Sequence, residues 1–220
     1  MSGGKQSKNP LTNSLPNNSA GAAGNFIVPI ESMSTNAFKS VIEIDVLGTF
    51  NTVKAATPHL LRSPTPRIVF VSVTFHYTGV PLQAHVSAAK AAVDSLMASV
   101  AIEYGPRGFT SNAIAPGGIE GTEGLARLGS SRPGEKEAFE KQIPSGRLGT
   151  VRDIADATVF LFSEAGSYVN GQALAVDGAA WRRQGGIAVG TDAAMQYPDY
   201  LLSGTISEHL KDGRKDKSKL

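Results

Sequence analysis

The sequence predicts an α/β fold with a doubly wound parallel sheet. Three observations lead there. Segments of helical periodicity alternate with short β-branched runs along most of the chain. The clearest of those runs, Arg67 to Val73 (RIVFVSV), is apolar on successive residues, as a strand buried on both faces is. Breakers separate the elements, at Pro66, at Gly105-Pro106 and at Pro116-Gly117. A chain of 220 residues with 41% hydrophobic and 18% charged residues can also bury the core that such a sheet needs.

Each element has its own signal. Ser34 is a good N-cap for a long helix running to about Leu61. Arg67–Val73 is the first strand. Gln83 to Tyr104 is Ala-rich, with Val86, Val93, Leu96 and Val100 at helical spacing, and ends at Gly105-Pro106. Thr110 to Ala115 is the next strand, stopped by Pro116-Gly117. Residues 133–142 suggest a short helix. Thr150 with Asp153 resembles a capping box opening a helix through Phe162, with Asp where Glu or Gln is usual. Gln172 to Val176 is the last strand. Residues 182–220 have weak periodicity and read as an irregular cap with a tail. No internal repeat is visible.

Composition narrows the function. A net charge of +2 argues against a dedicated nucleic-acid binder. The absence of cysteine excludes disulfides, thiolate metal sites and cysteine nucleophiles. No apolar run approaches the ~18 residues of a membrane span. Residues 1–20 are rich in Gly, Ser, Asn and Pro, without the apolar core of a secretory signal or the arginines of a transit peptide, and are expected to form a disordered tail. Ser218, Lys219 and Leu220 follow a polar, basic stretch and match the receptor-read peroxisomal address.

Few residues invite a chemical reading. Lys90 is the only lysine between Lys54 and Lys136, set among Ser87, Ala88, Ala89, Ala91 and Ala92. It is either a site cation or a solvated lysine paired with Asp94 at i+4. Asp45 falls inside the stripe of Phe38, Val41, Ile42, Thr49, Val53 and Ala56. A carboxylate there is either desolvated, and so a site candidate, or turned to water by rotation of the helix. Gly117, Gly118, Gly121 and Gly124 follow a strand without dinucleotide-fingerprint spacing, and fit a loop whose backbone comes close to a ligand. Arg127 is either a phosphate-pairing cation or an exposed surface residue. The four histidines have no metal spacing and are read as surface or packing residues.

Together these residues resemble the short-chain dehydrogenase/reductase family. The resemblance rests on Ala20 with the GAAGNF segment through Phe26, D-V-L-G at 45–48, the strand RIVFVSV, Lys90, and P-G at 116–117. The nearer likeness is to its peroxisomal 2,4-dienoyl-CoA reductase branch, through GNF at 24–26, NAFKSVIEIDVLGTFN at 36–51, the P-G-x-I-x-x-T-E-G-L run at 116–125, RLG at 147–149 and the Ser-Lys-Leu tripeptide. Three positions depart from the general family. Val86 stands where the catalytic tyrosine is usual, Val73 at the serine position and Asp45 at the asparagine position. The dienoyl-CoA branch departs in the same way, which disfavours a general carbonyl or 3-oxoacyl reductase.

The resemblance implies a Rossmann-like reductase domain over residues 21–182. It implies NADPH as cofactor, an unsaturated fatty acyl-CoA as substrate, reduction of 2,4-dienoyl-CoA to 3-enoyl-CoA, and a homo-oligomer paired through helices 34–61 and 83–104. Asp45 and Lys90 would be catalytic, ordering the water that returns the proton. Lys90, Pro116, Gly117, Gly118, Ile119 and Thr122 would bind cofactor. Phe26, Ser34, Thr35, Asn36 and Arg127 would contact acyl-CoA. Residues 183–220 would be an irregular cap and a tail carrying the tripeptide read by the peroxisomal import receptor.

The family domain runs to roughly 250 residues and opens with strand, Gly-rich turn and helix. Here no T-G-x-x-x-G-x-G occurs, and the first three β-α units are expected to be absent. An incomplete gene product or a shortened paralogue would account for this. A non-catalytic fragment that docks on a full-length relative is the alternative function.

Overall fold

The structure is a computed structural model and describes residues 26–128 and 134–183. A parallel sheet of three strands, in the order β1-β2-β3, forms its centre: β1 is Arg67–Val71, β2 Thr110–Pro116 and β3 Ala173–Val176. Three long helices flank the sheet, α2 (Gly48–Leu60), α3 (Ala84–Tyr104) and α6 (Val151–Phe162), and the short α1 (Thr35–Val41) leads into α2. The short α4 (Glu123–Leu128) and α5 (Glu135–Gln142) lie between β2 and α6.

The double winding follows from strand alternation. Ile68 and Phe70 of β1 and Ala113 of β2 pack with Val53 and Leu60 of α2 and Val93, Met97 and Val100 of α3. Val69 and Ile114 point the other way and pack with Leu161 of α6. Helices therefore cover both faces, and the strands are apolar on both sides as the sequence indicates. Phe70 is fully buried, which alone contributes about 2–3 kcal/mol.

Polar side chains fix the ends of the layers. Arg67, almost fully buried, donates to the Ser163 carbonyl at 2.6 Å and pairs with Glu164 at 2.9 Å. A cation is thereby placed at the C-terminus of α6, where it complements the helix dipole. At the other end of α6 the capping box is present: the Thr150 hydroxyl accepts from the Asp153 N–H, and Asp153 accepts from the Thr150 N–H. Arg147 clamps Asp153 with two bonds of 2.8 and 2.9 Å and, with the Thr150 bonds, holds that carboxyl well below the usual carboxylate range. Asp is one carbon shorter than the usual Glu, yet it closes the box.

The sequence places a single helix from Ser34 to Leu61, and the structure refines this. The Ser34 hydroxyl accepts from the Ala37 N–H at 3.2 Å and caps α1. Between α1 and α2, however, Ile42–Leu47 form a π turn with i→i+5 bonding. The buried residues Val41, Asp45, Thr49, Val53 and Thr57 are spaced by four. In an uninterrupted α-helix such spacing would rotate about 160° and carry Thr57 out of the core. The π turn absorbs one residue and cancels much of that drift.

Other boundaries shift slightly. β1 ends at Val71, leaving Ser72 and Val73 beyond it, and β2 extends to Pro116. α3 begins at Ala84 with Gln83 at its N-cap position. The short helix expected over 133–142 is α5, from Glu135. The expected N-terminal tail and most of the expected cap and tail beyond 182 lie outside the described residues.

Candidate active site

Lys90 lies on the second turn of α3, and the flanking alanines let the helix pack closely against its neighbours. Its ammonium is 3.3 Å from Asp45 Oδ2, with side chains only 7% and 1% exposed. The alternative pairing of Lys90 with Asp94 is therefore corrected. Asp94 instead accepts from the Tyr77 hydroxyl at 3.2 Å and lies 2.7 Å from His76 Nε2. The rotation that would bring Asp45 to water is corrected too, because Asp45, within the π turn, is buried on the same stripe as Val41 and Thr49. Two buried charges are tolerated because each is the other's counterion. Asp45 Oδ1, Thr49 Oγ1 and Ser72 Oγ are buried without a protein hydrogen-bond partner among the described residues. The pair thus has a buried cation and a carboxylate oxygen with free lone pairs.

The loop after β2 leaves from the C-terminal edge of the sheet. Gly117 donates to the Val176 carbonyl, and a Cβ on it would lie 2.6 Å from Asp177 Cβ. A Cβ on Gly118 would lie 2.8 Å from the Phe139 ring and 3.0 Å from Leu148. The expectation that these glycines open the backbone to a ligand is thus refined, since the protein's own atoms account for both. Ile119 bridges to Gly149, and the Thr122 hydroxyl donates to the Ile119 carbonyl at 2.8 Å and accepts from the Leu125 N–H. Thr122 therefore fixes the start of α4.

The substrate-side residues are dispersed. Phe26 stacks on buried His85 with centroids 4.2 Å apart, and its carbonyl accepts from Gln83 at 2.8 Å. His85 projects about 140° around α3 from Lys90, so Phe26 is held on another side of that helix. Ser34, Thr35 and Asn36 are exposed at the start of α1, about 14–17 Å along the helical path from Asp45. Arg127 is on α4, but its side chain lies outside the described residues, as do Ser218, Lys219 and Leu220. Sequence reasoning missed the His76–Asp94–Tyr77 group and its contact with Trp181, whose ring lies 5.3 Å from that of Tyr77. Their separations along the chain follow no motif spacing, so no local signal could have found them.

A family model described as enoyl-(acyl carrier protein) reductase matches residues 15–179. The chain belongs to the short-chain dehydrogenase/reductase family. The peroxisomal 2,4-dienoyl-CoA reductase of Saccharomyces cerevisiae, described as (3E)-enoyl-CoA-producing, is 50% identical over 86% of this chain and 62% of its own length. A short chain dehydrogenase from Bacillus anthracis has a similar fold, with a TM-score of 0.67 and 33% identity over 84% of this chain and 66% of that one. A gluconate 5-dehydrogenase from Burkholderia cenocepacia, in complex with NADP and tartrate, gives a TM-score of 0.69 and 28% identity over 76% of this chain and 64% of that one. The chain thus spans less than two thirds of the yeast relative.

The residues of this reductase-family chain fit one half of a nicotinamide dinucleotide. Lys90 supplies a buried cation near free acceptor oxygens, and the 116–122 loop sits at the strand ends where such ligands lie in open α/β sheets. Among the described residues no Gly-rich strand-to-helix turn is present for the pyrophosphate.

Proposed function

We propose that this chain carries the catalytic half of an NADPH-dependent 2,4-dienoyl-CoA reductase that forms 3-enoyl-CoA in peroxisomal oxidation of unsaturated fatty acids. The observation that carries the reading is the buried Asp45–Lys90 pair, found where the general family has asparagine and lysine, in a chain without the family tyrosine. Bound NADPH would supply hydride to the far end of the conjugated dienoyl thioester. Lys90 would hold the nicotinamide ribose and keep a positive field where negative charge develops on the thioester oxygen. The free oxygen of Asp45, held by Lys90 on its other side, would orient the water that returns a proton to the α carbon. Pro116, Gly117, Gly118, Ile119 and Thr122 would border the nicotinamide. Phe26, Ser34, Thr35, Asn36 and Arg127 would contact acyl-CoA. Ser218, Lys219 and Leu220 would be read by the import receptor, consistent with the peroxisomal names of the relatives.

The test is dienoyl-CoA-dependent NADPH oxidation by the purified chain. Turnover should fall by about two orders of magnitude or more in Lys90→Ala and in Asp45→Asn. An inactive chain that also fails to bind NADPH would refute the reading for this chain. A second reading, a non-catalytic partner that docks on a full-length relative, is favoured by the span of 62% of the yeast enzyme and by half-exposed Ile44, Leu47 and Phe50 along one helix face. Co-purification with a full-length reductase, without intrinsic turnover, would select it.

A further inference from the structure

We propose that Tyr77 and Trp181 form an aromatic wall that contacts the acyl chain of the substrate and sets the acyl length accepted. The proposal rests on the acyl-CoA reading above. Its basis is a convergence of two loops. Tyr77 lies in the turn Phe75–Tyr77 that follows β1, and Trp181 in the turn Ala180–Arg183 that follows β3. These strands do not pair, because β2 lies between them. The two rings nevertheless meet at 5.3 Å with an interplanar angle of 53°, so the loops close toward each other beyond the C-terminal end of β2. Ligands of open α/β sheets sit outside that edge.

Both rings are held in place. The Tyr77 hydroxyl donates to Asp94 Oδ2, and His76 contacts the same oxygen at 2.7 Å. Asp94 is one turn beyond Lys90 on the same side of α3, so the anchor of the wall is about 6 Å along the helix from the buried pair. Trp181 is fixed by its backbone N–H to Asp177 Oδ2 at 2.9 Å, and the Arg182 guanidinium covers its ring at 4.0 Å. Arg183 ties the turn to the Lys141 carbonyl at 2.7 Å. Burial first, then the Asp94 charge, pushes the Tyr77 phenol up to about 12. It therefore stays protonated and committed to Asp94, and only its ring is left for apolar contact. A chain leaving the reacting carbons along this side of α3 would meet that ring.

Trp181 is the only tryptophan in the chain, so its emission reports the wall alone. The full chain is titrated with butyryl-, octanoyl- and dodecanoyl-CoA, which cannot react, and with free CoA, while calorimetry follows binding. The expected result is a saturable change in Trp181 emission with octanoyl- and dodecanoyl-CoA and none with free CoA. Tyr77→Ala should reduce the preference for longer acyl chains by about tenfold, and Tyr77→Phe, which keeps the ring, should preserve it. An equal response to free CoA would overturn the proposal. So would a Tyr77→Ala variant that changes thermal stability but not acyl discrimination. Acyl-CoA binding heat without a change in Trp181 emission overturns the wall and leaves the acyl-CoA reading standing, whereas the absence of binding heat overturns both.

Discussion

The Asp45–Lys90 pair is unforgiving at the scale of single residues. Both charges are buried, so removing one strands the other in a medium that solvates it poorly. Asp45→Asn should cost about 3 kcal/mol of stability in urea denaturation, and the double variant Asp45→Leu/Lys90→Met should recover most of it. Additive losses would show that the two side chains are not coupled. The sequence made both residues conspicuous, one by its charge on an apolar stripe and the other by its isolation among alanines. Their mutual contact was not legible, because 45 residues separate them and Asp94 offered a local partner at i+4. That partner is taken by His76 and Tyr77, an arrangement decided by where the loop after β1 folds back.

Among elements, the π turn is the informative one. The helical pattern of residues 34–61 was readable, as were the capping residues Ser34 and Thr150, because each depends on neighbours within four positions. The π turn was not, since every residue in it is an ordinary helix or strand former and the extra residue shows only as a four-residue spacing of buried positions. Ile44 is about half-exposed and contributes little to the core. Its deletion should convert the π turn into regular helix with Val41, Asp45 and Thr49 at i, i+3 and i+7, which keeps all three on one face and Asp45 toward Lys90. Stability should therefore fall less than in Asp45→Asn, and Asp45→Asn should cost about as much in the deletion variant as in the parent chain. A much smaller cost there would mean that the π turn itself is needed to position Asp45.

For the whole molecule, the double winding was legible because continuous apolar strands between helices admit few arrangements. What could not be read was which surfaces remain uncovered. Ile44, Leu47 and Phe50 form a half-exposed apolar row on one side of the α1–α2 path, and Ile102 is exposed on α3. Pairing of two copies through these helices would cover that row, provided that about 800 Å² per copy is buried. Sedimentation should then give a dimer or larger species, and Leu47→Glu/Phe50→Glu should release monomer. A monomeric parent chain would refute the pairing.

The order of the sheet leaves a measurable trace. β1 is an outer strand among the described residues, although Ile68, Val69 and Phe70 are all buried. Ser72 donates to the Ile114 carbonyl, so the alternation of a parallel ladder turns the amides of Ile68 and Phe70 toward β2 and those of Val69 and Val71 away from it. In deuterated solvent, labelling should follow this odd–even pattern rather than side-chain burial, with Val69 and Val71 exchanging first. Docking of a further strand along that edge, from a second molecule or a longer form of this chain, would slow those two amides and leave their neighbours unchanged.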